Sequence, residues 1–150
     1  MRDNQPVTDE EIIPPPDAVL ASRTDLGGRI VHANKAFVAV SGFPEHELLG
    51  EPHNIIRHPD MPAEAFADLW DTIKAGRPWE GMIKNRTERG AFYWVRANVT
   101  PVKENGEVTG YLSLRTIPGR EAVAEAEAAY RTMREGSATA SRPGMVRKER

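Results

Sequence analysis

No cysteine occurs among the 150 residues, so a disulfide, a thiolate metal site and a cysteine nucleophile are all excluded. Aromatic residues are sparse, at 7%, and each Trp, Tyr and Phe therefore asks for its own explanation. Neither sign of charge dominates. The net charge is −2 with 28% of residues charged, which gives no field of the kind that gathers nucleic acid. The longest apolar runs fall far short of the ~20 residues that a spanning helix needs. The amino end has no signal-peptide pattern. The expectation is a soluble, cytoplasmic chain of about one domain, with no membrane segment and no nucleic-acid partner.

Proline is plentiful, with 12 residues, and it punctuates the chain. Residues 1–17 are polar and acidic and end in Pro14-Pro15-Pro16, which favours extended backbone and a flexible arm. Val19 to Thr24 and Arg29 to Ala33, joined across Gly27-Gly28, read as a hairpin. Asn34 is placed to cap the helical stretch Lys35 to Val40, which Ser41-Gly42 ends. Phe43 to Gly50 reads as another short helix. The strongest helical pattern is Ala63 to Ala75, where Phe66, Leu69, Trp70 and Ile73 form one apolar stripe. Pro78 to Thr87, Ala91 to Val102 and Glu107 to Thr116 then form a three-strand meander, with Asn105-Gly106 as the clearest turn signal.

Counting by twos puts Trp79, Gly81, Ile83 and Asn85 on one face of the first of these strands. The same count groups Tyr93, Val95, Ala97 and Val99 on the second, and Tyr111, Ser113 and Arg115 on the third. Aromatic residues in strands are ordinarily core. Asn85, Ser113 and Arg115 on that same face need polar partners, and a polar ligand would supply them. Arg115 can equally be an exposed charge at a sheet edge.

Gly50 to Pro62, reading Gly-Glu-Pro-His-Asn-Ile-Ile-Arg-His-Pro-Asp-Met-Pro, is the least generic stretch. Its prolines forbid a long helix, so His53, Asn54, Arg57, His58 and Asp60 sit on short turns. Arg57 offers a fork of donors suited to phosphate or carboxylate. In isolation, a solvated loop in which Arg57 and Asp60 pair with each other accounts for the same residues.

With the order two strands, short helices, one longer helix and three strands, the chain resembles a PAS domain. Within that superfamily it is similar to the FAD-binding PAS domains of the Aer type, the aerotaxis and energy-taxis redox receptors. The resemblance covers about Ala18 to Ile117. It rests on Ala33 to Gly42, on Gly50 to Pro62, on Phe66-Ala67-Asp68-Leu69-Trp70, on Lys84-Asn85-Arg86, on Tyr93 to Asn98 and on Gly110 to Thr116.

The resemblance implies an α+β fold in which short helices and one longer helix cover one face of a five-stranded antiparallel sheet, with FAD between them. Trp79, Ile83, Val95 and Tyr111 are then expected as walls, joined by Phe66, Trp70 and Tyr93. Asn85 would pair with the polar edge of the flavin, and Ser113 and Arg115 would share that edge. Arg57 and His58 would meet the pyrophosphate at the mouth, and Asp60 would bond a sugar hydroxyl or orient Arg57. Asn34 is similar in position to a family residue needed for the cofactor, although N-capping explains it as well. His53 is either a ring neighbour or a helix-end residue.

Light-sensing PAS domains of the LOV type carry a cysteine in the segment occupied here by His53, and that adduct photocycle is excluded. Haem-binding PAS domains of the FixL type carry a histidine on the long helix, which Ala63 to Ala75 lacks. No catalytic triad, metal cluster or phosphate loop is visible in the sequence, so a redox sensor rather than a catalyst is expected, with a ligand-free or haem-binding PAS interaction module as the alternative. A homodimer and a chemotaxis-type or other signalling domain are the expected partners. Residues 119–135 form an amphipathic helix with Val123, Ala126, Tyr130 and Met133 on its seam, and residues 136–150 read as a disordered basic tail. The output route is expected through Lys84, Arg86 and Leu114 on the outer face of the sheet, the arm and this seam.

Overall fold

The computed structural model describes residues 7–138. Five antiparallel strands lie in the order β2-β1-β5-β4-β3: β1 is Val19–Asp25, β2 Ile30–Ala33, β3 Trp79–Arg86, β4 Phe92–Glu104 and β5 Glu107–Thr116. Between β2 and β3 run the helices α1 (Lys35–Ser41), α2 (Glu45–Leu48) and α3 (Ala63–Lys74), with a short 3-10 turn at His53–Ile56. The expected α+β architecture is present.

Strand register fixes which residues share a face. Ile83 pairs with Val95, Asn85 with Tyr93, Ala97 with Arg115 and Val99 with Ser113, so the three groups counted by twos meet on one inward surface. β1 supplies Leu20, Ser22 and Thr24 to the same surface, all buried. The helices close over it around Phe37, Leu48, Ile56 and Ile73. At Gly110 the β1 backbone approaches so closely that an added Cβ would clash with the Thr24 carbonyl oxygen. Asn105 (φ 53°) and Gly106 (φ 82°) take the left-handed conformation of a tight hairpin turn.

Asn34 begins α1: its Oδ1 accepts from the backbone N–H of Phe37 at 2.9 Å and of Ala21 at 3.1 Å, and its Nδ2 donates to the Val19 carbonyl at 3.0 Å. The cap thereby also ties the helix to β1. α2 is shorter than Phe43 to Gly50, because Pro44 holds extended backbone and Leu49 returns to it.

The outer face of the sheet carries α4, Arg120–Ala138. Val123 and Ala126 are buried against Trp94. Tyr130 stacks on Trp94 with ring centres 6.1 Å apart and donates its hydroxyl to the Met82 carbonyl at 2.7 Å. The seam thus packs back on this chain's own sheet. Of the three residues expected to form the output route on the outer face, Lys84 and Arg86 are covered (7% and 8% exposed), whereas Leu114 stays open at 41%.

The polyproline arm is also not free over its described part. Thr8 and Ile12 donate to the carbonyls of Gly90 and Phe92, and Phe92 donates back to Glu10. Extended backbone has unpaired N–H and C=O groups, and here they find the start of β4. Glu11 then takes two hydrogen bonds from Arg120, at 2.8 and 2.9 Å, joining this segment to the first turn of α4. Residues 136–138 continue α4, and the remainder of the basic tail lies outside the described residues.

Both outer strands have part of their rim covered. On β3, Met82 C=O is held by Tyr130, Lys84 N–H by the Met61 sulfur at 3.3 Å and Lys84 C=O by the His58 amide at 3.4 Å. On β2, Ile30 exchanges bonds with Gly50 and Glu51.

Candidate functional site

A cavity of about 230 Å³ lies between the inward face of the sheet and α3. Ile83, Asn85, Val99, Tyr111, Ser113 and Arg115 make its floor. Phe66, Leu69, Trp70 and Ile73 descend from α3, while β1 contributes Thr24 and the β1–β2 turn Gly27 and Gly28. The segment from Pro52 to Arg57 closes the remaining side with His53, Asn54 and Ile56. Trp70 meets Tyr111 edge to face, 5.8 Å between ring centres at 87°. Gly28, at φ +88°, makes room for it, since a Cβ there would sit 3.3 Å from the indole.

Arg115 is the polar centre of this wall. Only 1% exposed, it donates to Ser113 Oγ at 2.6 Å and to Ser22 Oγ at 2.9 Å, and its guanidinium carbon lies 4.4 Å from the centre of the Phe37 ring. No ion pair among the described residues includes it. Its buried Nε has no hydrogen-bond partner. Burial in this setting lowers its pKa to about 10, partly opposed by the neighbouring Tyr93.

His53 completes the network. Nε2 lies 2.9 Å from Ser22 Oγ and 3.3 Å from Arg115 Nη1, and the ring stacks on Phe37 at 6.0 Å. A guanidinium only donates, so Nε2 is the acceptor and the proton rests on Nδ1. Burial first, and the Arg115 charge second, hold its pKa down at about 3, so the imidazole is neutral at ordinary pH. Ser22 accepts from Arg115 and gives its proton to His53. Ser113 also accepts from Arg115, which leaves its own O–H to be donated. With the Asn85 carboxamide beside them, these groups make a wall rich in donors, facing aromatic and aliphatic surfaces. Such a cavity fits a flat apolar ligand with acceptors or negative charge along one edge.

Of the residues singled out in the sequence, the cavity brings together His53, Arg57, Phe66, Trp70, Ile83, Asn85, Tyr111, Ser113 and Arg115. Arg57 lies over Phe66, its guanidinium carbon 3.9 Å from the ring centre. The other six do not line it. Asn34 spends its whole carboxamide on the α1 cap and β1. His58 is buried on the far side of its segment, where Nδ1 accepts from the Asp60 amide. Burial and Lys84 hold its pKa down at about 4. Asp60 pairs with Lys84 at 2.9 Å rather than with Arg57. Trp79 donates to Asp68 at 2.9 Å and lies flat over Gly81, where a Cβ would come within 2.5 Å of the ring. Tyr93 and Val95 are fully enclosed in the core. The sequence reading missed the turn residues Gly27 and Gly28, and Ser22 and Thr24 of β1. Leu69, Ile73 and Val99 were visible as members of apolar faces but carried no sign of a cavity.

Residues 30–115 match the family model described as PAS fold. The chain belongs to the PAS family. This PAS chain is 50% identical over 120 residues to the aerotaxis receptor of Escherichia coli (strain K12), an alignment covering 80% of the chain and 24% of that receptor. It is 30% identical over 99 residues to the nitrogen fixation regulatory protein of Klebsiella oxytoca, covering 65% of the chain and 20% of the relative. It thus spans about a quarter or less of these curated relatives. Among solved structures, the light state of the blue-light photoreceptor Aureochrome1 LOV superposes with a TM-score of 0.66 at 17% identity, over 75% of this chain and 91% of that one. A PAS domain from Colwellia psychrerythraea gives 0.61 at 22% identity, over 67% and 86%. These superpositions carry the fold. No helix among the described residues is long and apolar enough to cross a membrane.

Proposed function

We propose that this PAS domain holds FAD non-covalently in the cavity and acts as a redox or energy sensor of the aerotaxis type, turning the state of the flavin into a conformational signal. The observation that carries the reading is Arg115: a buried cation with no carboxylate partner and one orphaned N–H, set among donors and aromatic walls. A buried charge without a partner is costly, and an acceptor-edged ligand offsets that cost. At about 230 Å³ the cavity is below the ~300–1,000 Å³ of pockets that enclose a whole ligand, which suits enclosure of one flat part of a longer molecule.

Trp70, Tyr111, Phe66 and Ile83 would hold the flat ring, Asn85, Ser113 and Arg115 its polar edge, and Arg57 the anionic remainder. Bound flavin supplies a couple whose reduction changes the charge and the hydrogen-bond pattern at that edge. Arg115 and Asn85 must then re-pair, and an unmade buried bond of ~1–3 kcal/mol is enough to bias a two-state element. The reading is of a sensor rather than a catalyst, working in the cytoplasm as a homodimer alongside a chemotaxis-type signalling domain. The aerotaxis receptor among its relatives supports that assignment.

Protein purified from flavin-replete cells is expected to show a flavin absorbance spectrum and to release about one FAD per chain on heating. Release of haem, of FMN or of no chromophore would overturn the reading. Arg57→Ala is expected to lower FAD occupancy while the far-ultraviolet dichroism stays native.

A further inference from the structure

The segment that carries Arg57 into the cavity is held at its other end by α4. Arg57 lines the cavity and its backbone bridges that of Asn85. Asp60, three residues on, is tied through every polar group it has: its N–H to His58 Nδ1 at 2.9 Å, its carboxylate to Lys84 Nζ at 2.9 Å and its carbonyl to Arg134 Nη1 at 2.7 Å. The first two ties stay within the segment and β3. The third comes from α4, which lies on the opposite face of the sheet and beyond residues 30–115, where the family match ends. α4 has two further ties, the Tyr130 hydroxyl to the Met82 carbonyl on β3 and the pair of Arg120 bonds to Glu11 at its first turn, and the Arg120 pair touches neither the segment nor the cavity.

We propose that Arg134 is a positioning residue for the cavity: by holding the Asp60 carbonyl it fixes the segment that presents Arg57, so that ligand binding and the docking of α4 strengthen each other. The proposal rests on the flavin reading of the cavity for its probe. Linkage makes the effect reciprocal. A variant that breaks the Arg134 tie must therefore weaken ligand binding by the factor by which the ligand tightens that tie.

The test uses the full chain stripped of ligand and titrated with FAD, together with amide hydrogen exchange over residues 120–138. In the wild type, FAD slows exchange along α4. Arg134→Gln, whose shorter carboxamide does not extend to the carbonyl, raises the FAD dissociation constant roughly fivefold or more and abolishes that slowing, and Arg134→Lys, which reaches further with a charged donor, recovers part of both. Glu11→Gln loosens the far clamp and leaves the dissociation constant within about twofold, as expected for a surface pair. An unchanged dissociation constant in Arg134→Gln overturns the proposal, as does an equal rise in Glu11→Gln, which would mark general loosening of the helix.

Failure of the wild type to bind FAD would fell the flavin reading instead. The coupling is then read without ligand, as faster α4 exchange in Asn85→Ala that disappears when Arg134→Gln is already present. Exchange of α4 indifferent to Asn85→Ala overturns the positioning role.

Discussion

Asn85 and Tyr93 stand directly opposite each other on β3 and β4, and the Tyr93 hydroxyl, wholly enclosed, faces the Asn85 carboxamide without closing a well-formed hydrogen bond to it. Its polar neighbours are the Asn85 carboxamide and the Arg115 charge, while burial pushes its pKa up to about 12. An orphaned buried hydroxyl costs ~1–3 kcal/mol. Tyr93→Phe is therefore expected to leave urea stability unchanged or raised by up to about 1 kcal/mol, and a clear loss would show that the hydroxyl is bonded after all.

Arg115→Met separates stability from binding. An apolar side chain of similar length removes an unpaired buried cation, and Ser22 and Ser113, opposite each other on β1 and β5, are then free to bond together. The ligand-free variant is expected to melt no lower than the wild type, whereas its FAD affinity falls by about tenfold or more, near the ~1.5–3 kcal/mol of a charged hydrogen bond. Thermal melts with and without FAD measure both quantities.

Acid should unfold this chain early. His53 and His58 are held neutral in the fold, with pKa values of about 3 and about 4, and both regain an ordinary value near ~6.5 on unfolding. Below pH ~6.5 the unfolded chain therefore binds more protons, and stability falls with pH until the folded-state values are reached. Two protons give a slope on the order of 2–3 kcal/mol per pH unit at its steepest. Denaturant titrations at pH 7, 5.5 and 4.5 measure it, and a flat profile would contradict the burial of these rings.

Two glycines should differ sharply as alanine. At Gly110 the new Cβ meets the Thr24 backbone, which cannot yield without parting β1 from β5. At Gly106 it meets nothing within 4 Å, so only the left-handed conformation is strained. Gly106→Ala is expected to cost ~1 kcal/mol, and Gly110→Ala several times that or the fold itself. Comparable urea midpoints for the two would refute the close approach.

The inward face was readable because strand alternation is a local rule: Tyr111, Ser113 and Arg115 stay together whatever the strand pairs with. The same rule explains His58. Arg57 is in extended backbone (φ −75°, ψ 128°) and bridges Asn85, so its immediate neighbour turns the other way, and two residues that look like one patch in the sequence serve opposite sides. Ser22 could not be found in this manner, because its place beside Arg115 comes from the β1–β5 pairing across 93 residues. The seam of α4 shows similarly that a helix has an apolar side without saying what it covers. The arm is legible as extended backbone but not as a partner for Phe92.

The rim of β3 has a further consequence, for colloidal behaviour. Of the three groups that cap it, the Met61 sulfur and the His58 amide belong to the segment stitched along the strand, whereas the Tyr130 hydroxyl arrives on α4. Lifting the helix away uncovers Trp94 together with the Met82 carbonyl, an apolar surface beside an unpaired backbone acceptor. That is the combination on which a neighbouring chain adds a strand and aggregates grow. A change that frees α4 should therefore show itself first as turbidity in concentrated solution.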